Sequence, residues 1–234
     1  VWVITNWYRP QAYYDSSSWR ATWNGEGGGV LINQCPHQLD LLQWVVGKMP
    51  VSVNGFCEYG KWHDIEVEDE VTAYFRYKNG ATGVFITTTG EVPGGNRLEI
   101  SGTKGKLLCE NDKIEFYRLS EDVSEFSKHN EVLFGKPKEE KIAVETDGKN
   151  SQHLGIINNF TQAILGKEKL FVSGADGISG VELMNAIEYS GWRGGAETQI
   201  PVDENEYLKA LNKKRESSRR KNVAEKLADT TGTY

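Results

Sequence analysis

The pattern of apolar and polar positions predicts strands over most of the first half of the chain. Residues 1–9 alternate well enough to form a strand, and Val71, Ala73, Phe75 and Tyr77 alternate with more polar neighbours. Asn79-Gly80 is typical of a tight hairpin turn. Further strands are predicted at 81–89, 97–101, 106–109 and 113–118. Because short turns join these strands, we expect an antiparallel meander between Val51 and Arg118.

The helices follow from their spacing and their end signals. A helix should begin near Pro36, since proline is tolerated in a first turn, and should end before Gly47. The glycine-rich stretch before it reads as a loop over 10–29 and a separate turn over 30–35. Later segments are predicted as an irregular stretch at 119–149, helices at 151–165, from Ser173 to about Ser190 and from Asp203, and a short strand at 200–202.

These elements predict an α+β fold, in which an open, mostly antiparallel sheet carries helices on one face. We expect one domain over residues 1–211 and a basic, frayed tail over 212–234. In the strand Thr82 to Thr88, Val84 and Ile86 should point to one side, and Phe85 and Thr87 to the other. A second apolar face would need a partner, so a homodimer or homotetramer through that face is expected.

Composition excludes several classes of function. Apolar residues make up 38% and charged residues 26%, as in an ordinary globular protein, and a net charge of −6 argues against nucleic-acid binding. No apolar run is long enough to span a membrane, and no signal peptide opens the chain. Three cysteines without a CxxC pair (Cys35, Cys57 and Cys109) indicate reduced thiols and a cytoplasmic protein. No histidines share metal-ligand spacing, so no metal is expected.

Candidate chemistry is concentrated in the segment from Gly27 to Asp40. Three consecutive glycines precede Asn33, His37 and Asp40, which would lie roughly on one side of a near-helical segment. An amide, an imidazole and a carboxylate together can bind hydroxyl groups and move a proton, and histidine suits that task near neutral pH. The alternative is that Asn33 caps the helix and His37 only packs. The residue types alone leave both readings open.

The spacing GGG-x-x-x-N-x-x-x-H-x-x-D resembles a motif of the Gfo/Idh/MocA oxidoreductases, which usually have Asp where this chain has Asn33. The resemblance covers nearly the whole chain, from Val1 to about Leu211. Other matching segments are Trp19-Arg20, Val67-Glu68-Asp69, Gly102-Thr103-Lys104-Gly105, Asn159-Phe160 with Ala163-Ile164, and Ala186-Ile187 with Ser190.

The resemblance implies a two-domain enzyme, in which an N-terminal Rossmann domain binds NAD or NADP and a C-terminal domain binds the substrate and forms oligomers. This chain would be the C-terminal domain, because it opens at Val1 within a strand pattern and has neither G-x-G-x-x-G nor Glu-Lys-Pro. By itself it is expected to bind no cofactor and to be inactive. The implied substrate is a sugar, a polyol or a sugar derivative. The alternative is a binding or assembly module without turnover.

By the same resemblance, His37 would be the general acid/base and Asn33 would hydrogen-bond the reacting hydroxyl or its neighbour. Asn33 cannot itself act as a base, because a carboxamide does not take up a proton near neutral pH. Asp40 would have a structural role, supporting Asn33 and His37 without contacting the substrate itself. Tyr14, Trp19 and Arg20 are expected to bind the substrate, and His153 is a weaker candidate for the same role.

Overall fold

A computed structural model describes residues 1–111, 113–148, 151–219 and 221. This part of the chain forms two compact units, one of residues 1–97 together with the chain from residue 179 onward, the other of residues 98–178. The strands are β1 (Trp2–Ile4), β2 (Ser52–Tyr59), β3 (Glu68–Arg76), β4 (Thr82–Thr88), β5 (Asn96–Gly102), β6 (Gly105–Glu110), β7 (Lys113–Leu119), β8 (Glu139–Ile142) and β9 (Thr198–Gln199). The helices are α1 (Gln11–Tyr14), α2 (Val30–Asn33), α3 (Pro36–Val46), α4 (Val123–His129), α5 (Gln152–Ile164), α6 (Ile178–Trp192) and α7 (Glu204–Glu216).

The strands of the first unit lie in the order β1-β4-β3-β2-β9. The hairpin predicted at Asn79-Gly80 joins β3 to β4, which pair antiparallel with Ala73 opposite Phe85. On its other side, β4 pairs in parallel with β1, where Trp2 lies opposite Phe85. The uninterrupted meander predicted from the sequence is therefore wrong at this point. Turn residues identify strands that are neighbours along the chain, but they carry no information about the pairing of β4 with the distant N-terminal strand β1.

One face of this sheet is the core of the first unit. Val53, Val71, Ala73, Phe75 and Phe85 are fully buried there. Complete burial of one such aliphatic or phenyl side chain stabilises the fold by roughly 1.5–3 kcal/mol. The helices that cover this face do so with their own buried residues, which are Leu39 and Leu42 of α3 and Leu183 and Ile187 of α6.

The opposite face of the same strands is at least partly exposed. Phe56 is 53% exposed, and Tyr74, Val84 and Ile86 are only half-buried. Strand register places these side chains together, since Phe56 lies opposite Thr72, Thr72 opposite Ile86, and Tyr74 opposite Val84. The predicted division of β4, with Phe85 and Thr87 on the buried side, is confirmed. We call Phe56, Thr72, Tyr74, Val84 and Ile86 the open face.

Helix boundaries agree with the sequence where an end signal is strong. Helix α3 begins at Pro36, and Gly47 ends it in a left-handed conformation with φ 70°. Asp203 caps α7 by accepting hydrogen bonds from the backbone N–H groups of Asn205 and Glu206. The helix predicted to begin at Ser173 instead begins at Ile178. Ser173 bonds the Asp176 carboxylate from both its N–H and its hydroxyl, which closes a local turn instead of capping a helix.

In the second unit, the strand order is β8-β7-β6-β5. The stretch 119–149, predicted to be irregular, contains both α4 and β8. Asp122 caps α4 through the N–H of Ser124, and β8 pairs antiparallel with β7, with Ile142 opposite Phe116. Helix α5 has the predicted apolar side, but the residues on it are exposed: Leu154, Ile157, Phe160 and Ile164.

The predicted α+β fold with an open, mostly antiparallel sheet is confirmed. Residues 212–216 of the predicted tail continue α7, and residues 222–234 lie outside the described residues. The division into a domain at 1–211 and a frayed tail stays a prediction. Within the described residues, no helix is long and apolar enough to cross a membrane.

Candidate functional site

The glycine segment is fixed to the sheet by a buried carboxyl group. Both carboxyl oxygens of Glu68, on β3, accept from the N–H of Gly29 at 2.8 Å, and Oε1 also accepts from the N–H of Leu31 at 3.0 Å. Glu68 thus satisfies backbone donors at the start of α2 that have no partner within the helix. Burial raises the pKa of Glu68 to about 7, although the hydrogen bonds from Leu31 and Gly29 oppose this shift.

Two of the three glycines are required by geometry. Gly27 has φ 83°, in the left-handed region where side chains are rarely found. A Cβ added to Gly29 would lie 2.1 Å from the carbonyl oxygen of Glu68. Gly28 is less constrained, because a Cβ there would meet only the flexible side chain of Ile32 at 3.2 Å. The close approach of α2 to β3 therefore depends on Gly29.

The neighbouring carboxylate, Asp69, organises the loop after β2. It accepts hydrogen bonds from the backbone N–H groups of Lys61 at 3.1 Å, Trp62 at 2.8 Å and His63 at 3.1 Å. The His63 ring lies 3.1 Å from the same carboxylate through Nδ1, and its Nε2 lies 2.8 Å from the carbonyl oxygen of Arg9. The Val67-Glu68-Asp69 segment therefore serves to hold two loops against the sheet.

A short break between α2 and α3 determines where His37 lies. Cys35 is fully buried, and its Sγ lies 3.0 Å from Oγ1 of Thr87 on β4, so the break is anchored to the sheet. Burial raises the pKa of the Cys35 thiol to about 12. Pro36 then starts α3, and His37 follows in its first turn with an exposed side chain. No hydrogen bond joins the His37 side chain to any other residue that the structure describes.

Asp40 lies one helical turn beyond His37 on α3. It is exposed, and its Oδ1 accepts from Nε2 of Gln43 at 3.2 Å. A Cβ added to Gly180 of α6 would lie 3.7 Å from the Asp40 side chain, so the two helices approach closely at this residue. Asp40 thus lies where α3 meets α6, on the same helix as His37.

Asn33, at the end of α2, belongs to a closed set of four side chains, which we call the polar ring. Arg20 Nη1 donates to the hydroxyl of Tyr13 at 2.7 Å, and that hydroxyl donates to Asn33 Oδ1 at 3.2 Å. Asn33 Nδ2 donates to Oε1 of Glu26. The ring closes through Glu26 Oε1 and Arg20 Nη1, which lie 3.9 Å apart. Gln34 Nε2 also donates to Asn33 Oδ1, at 2.9 Å.

Aromatic side chains surround the guanidinium group of this ring. The guanidinium carbon of Arg20 lies 4.3 Å from the ring centre of Tyr13 and 4.7 Å from that of Trp19. Arg9 approaches the Tyr13 ring as well, at 5.3 Å. Trp19 itself is 45% exposed. Cation–π attraction at such distances holds the planar groups in place and leaves an exposed indole beside them.

The structure places two of the expected substrate residues elsewhere. Tyr14 is 4% exposed, packs in a core cluster with Ala21, Trp23 and Val67, and bonds Thr89 Oγ1 at 2.8 Å. Its neighbour Tyr13 belongs to the polar ring instead. His153 lies on α5 in the second unit, where it is exposed. Asn33, Arg20 and Trp19 are brought together, with His37 at the start of the next helix.

Sequence reasoning missed Tyr13, Glu26 and Gln34. One signal in the sequence could have identified Glu26. It directly precedes the three glycines, and the amide at position 33 needs a nearby acceptor for its N–H₂ group. Tyr13 and Tyr14 are neighbours in a segment that the sequence predicts as a loop and that forms the short helix α1, and no periodicity there decides which of the two points inward. Among the described residues, no three His, Cys, Asp or Glu side chains form a group that could hold a metal ion.

Comparisons with known proteins agree with this architecture. A family model described as the GFO/IDH/MocA C-terminal domain matches residues 1–108. The solved WlbA dehydrogenase from Chromobacterium violaceum, in complex with NADH and UDP-GlcNAcA, is 27% identical with a TM-score of 0.67, over 86% of this chain and 55% of that one. The WlbA dehydrogenase from Bordetella pertussis, with the same ligands, is 25% identical with a TM-score of 0.66, at the same coverage of both chains.

A levoglucosan dehydrogenase in complex with NADH shares the fold, with 19% identity, a TM-score of 0.63 and coverage of 86% of this chain and 58% of that one. No curated protein sequence matches the chain. This chain spans about 55% of the length of the two WlbA structures. The resemblance to the Gfo/Idh/MocA oxidoreductases, first drawn from the motif, is confirmed.

Proposed function

We propose that this chain, whose first 108 residues match the Gfo/Idh/MocA C-terminal domain, is the substrate-binding and oligomerisation half of an NAD(P)-dependent oxidoreductase. The reaction would interconvert a hydroxyl and a carbonyl group of a sugar, a polyol or a sugar derivative. The observation that carries this proposal is the exposed His37, which follows Asn33 of the polar ring in the first turn of the next helix and whose side chain has no hydrogen-bond partner among the described residues. An imidazole left available beside ordered hydroxyl-binding groups suits proton transfer.

In the proposed reaction, neutral His37 accepts the proton of the substrate hydroxyl as hydride leaves the carbon that bears this hydroxyl. In the reverse direction, protonated His37 returns that proton to the carbonyl oxygen. Asn33 would hydrogen-bond the reacting oxygen or its neighbour, because its amide is exposed and its orientation is set by the ring. Asp40 would act only through α3, by helping to fix the helix that presents His37.

Trp19, Arg20 and Tyr13 would contact the rest of the substrate. The exposed indole of Trp19 offers a flat apolar surface for the face of a sugar ring, and Arg20 offers charged donors to hydroxyl or anionic groups. Tyr14 would support this surface only from the core, where its hydroxyl donates a hydrogen bond to Thr89. His153, exposed on α5, stays a weaker candidate.

NAD or NADP would supply the hydride acceptor or donor, held by a Rossmann domain that joins this chain in the complete enzyme. Both WlbA structures are complexes with NADH, which supports a nicotinamide cofactor. The residues of this chain fit a role opposite the cofactor and not a role in binding its phosphates, since the glycine segment is already occupied by Glu68 at the start of α2. The proposed contribution of the chain is therefore to orient the substrate and to move its proton.

The alternative function is a binding or assembly module without turnover, and the amide at Asn33 is the feature that favours it. The two proposals are separated by an assay on the complete protein that contains this chain. We expect reduction of NAD⁺ or NADP⁺ with at least one member of a panel of neutral sugars, polyols, uronic acids and nucleotide sugars. The isolated chain serves as the control and should neither turn over nor bind NADH in a calorimetric titration. Binding of a panel member without any cofactor reduction would favour the module.

The oligomer is proposed to form through the open face. Phe56, Tyr74, Val84 and Ile86 would be buried against the same residues of a second copy, because a two-fold axis lets one patch cover its own duplicate. This pairing would leave the polar ring accessible, since the ring is built from α1, α2 and the segment between them and not from the open face.

A further inference from the structure

The polar ring has a fixed order of donors and acceptors. An ionised carboxylate only accepts hydrogen bonds, so Glu26 requires Asn33 to turn its Nδ2 toward it. Asn33 Oδ1 must then face the other way, where Tyr13 and Gln34 both supply donors. The Tyr13 hydroxyl gives its proton to Asn33 and accepts from Arg20. Each member of the ring therefore has one allowed orientation, and that orientation is set by Glu26.

Glu26 is itself held firmly. Its second oxygen, Oε2, accepts from the N–H of Ala21 at 2.6 Å, and its side chain is only 9% exposed. Ala21 has φ 54°, in the left-handed region that is unfavourable for a residue with a Cβ. The carboxylate thus holds the turn that follows Arg20 as well as the amide of Asn33. One side chain fixes both ends of the surface proposed to bind substrate.

We infer that Glu26 is a positioning residue for the substrate site, and that it is the reason why position 33 carries an amide and not a carboxylate. A carboxylate at position 33 would lie against the carboxylate of Glu26, and two such groups in contact cannot both be ionised without strong repulsion. With an amide at position 33, the ring keeps one negative charge, which Arg20 balances at 3.9 Å. The positioning role rests on the proposed function, whereas the pairing of Glu26 with Asn33 does not.

The pairing makes a specific prediction about exchange of the two groups. In Asn33→Asp, the ring holds two carboxylates and loses its donor to Glu26. In Glu26→Gln, one amide oxygen must replace two acceptors, so either Ala21 or Asn33 loses its partner. In the double variant Glu26→Gln/Asn33→Asp, the new amide at position 26 can donate to the new carboxylate at position 33 and still accept from Ala21. The double variant therefore restores every hydrogen bond of the ring with the amide and the carboxylate exchanged, and loses only the ion pair between Arg20 and position 26.

The experiment is a double-mutant cycle in the complete protein that contains this chain, with melting temperature, kcat and KM as readouts. We expect each single variant to lower both the melting temperature and kcat/KM. The double variant should recover kcat/KM by about tenfold over Asn33→Asp, a coupling of the size seen between contacting residues. Asp64→Asn removes one negative charge from an exposed loop of the same unit and serves as the control, for which no change is expected.

The outcomes separate the pairing from the function. Additive losses of melting temperature in the double variant would overturn the pairing of Glu26 with Asn33. Recovery of the melting temperature, with kcat and KM unaffected in all three variants, would overturn the positioning role and leave a purely structural contact. If the parent protein reduces no cofactor with any substrate, the proposed function and the positioning role both fail, and the melting temperatures alone decide the pairing.

Discussion

At the scale of single residues, the start of α2 depends on Glu68, a buried carboxyl group that the sequence motif did not assign to any role. It is 1% exposed and accepts hydrogen bonds from Gly29, the last of three consecutive glycines. The backbone N–H groups of Gly29 and Leu31 would lose their acceptor without it. Removal of a buried acceptor typically costs about 1–3 kcal/mol, so Glu68→Ala should destabilise the first unit by that amount.

The pKa of Glu68 makes stability depend on pH in a stated direction. Burial raises this pKa from an ordinary value of 4.5 to about 7 in the folded chain. Between these two values the folded chain keeps a proton that the unfolded chain has released. The stabilising contribution is therefore complete below pH 4.5 and is lost as the pH rises through about 7.

The expected result is a free energy of unfolding that falls between pH 5 and pH 7.5, measured by urea denaturation. Glu68→Gln is the matched variant, because its amide oxygen can still accept from Gly29 or Leu31 but the side chain does not titrate. It should show a flatter dependence than the parent. If the unfolding free energy of the parent does not fall relative to that of Glu68→Gln over this range, the raised pKa of Glu68 is contradicted.

The polar residues of the site divide into those that the sequence identified and those that it could not. The spacing of Asn33 and His37 after the glycines was enough to single them out. Glu26 and Tyr13 required the structure, because they lie in the aperiodic segment before α2, whose side-chain directions are set by contacts such as that between Arg20 and Tyr13. For the same reason the sequence does not separate Tyr13, which belongs to the ring, from Tyr14, which is buried.

At the scale of elements, the packing of α2 against β3 leaves no room for a side chain at position 29. Gly29→Ala would place a Cβ 2.1 Å from the backbone carbonyl oxygen of Glu68, which cannot move without displacing β3. We expect a loss of about 1–3 kcal/mol in unfolding free energy, in the range usual for overpacking. Gly28→Ala is the matched control, since its Cβ meets only the side chain of Ile32, and it should cost little. Equal losses for the two variants, measured by thermal unfolding, would contradict the close approach.

Element prediction succeeded where a residue imposes its own geometry. Pro36, Gly47 and Asp203 fix helix ends through local chemistry, and each was placed correctly. Ser173 carried the same kind of signal but found a different partner in Asp176, so its helix start was misplaced. The parallel pairing of β1 with β4 had no local indication, because it joins residues more than 80 positions apart.

At the scale of the whole molecule, the open face predicts self-association. We expect light scattering on the purified chain at micromolar concentration to give a mass of at least twice 26.3 kDa. The pair of substitutions Tyr74→Glu and Ile86→Glu should reduce it to the monomer, because each would bury an unpaired charge at the interface. Leu208→Glu, on the exposed side of α7, is the control and should leave the mass unchanged.

Two results would contradict this assembly. A parent mass near 26.3 kDa would mean that the open face does not pair with a second copy. A parent oligomer that survives both charged substitutions would place the interface elsewhere on the molecule.

The central claim is that His37 moves the proton of the substrate hydroxyl. The most direct measurement is kcat for His37→Ala against the parent, in the complete protein that contains this chain, with the melting temperature recorded for both. A general acid/base contributes about 10²–10⁴-fold in rate, so kcat should fall by at least that lower value. The melting temperature should not change, because the side chain is exposed and bonds none of the described residues. A loss of less than about threefold in kcat, far below that range, would contradict the claim.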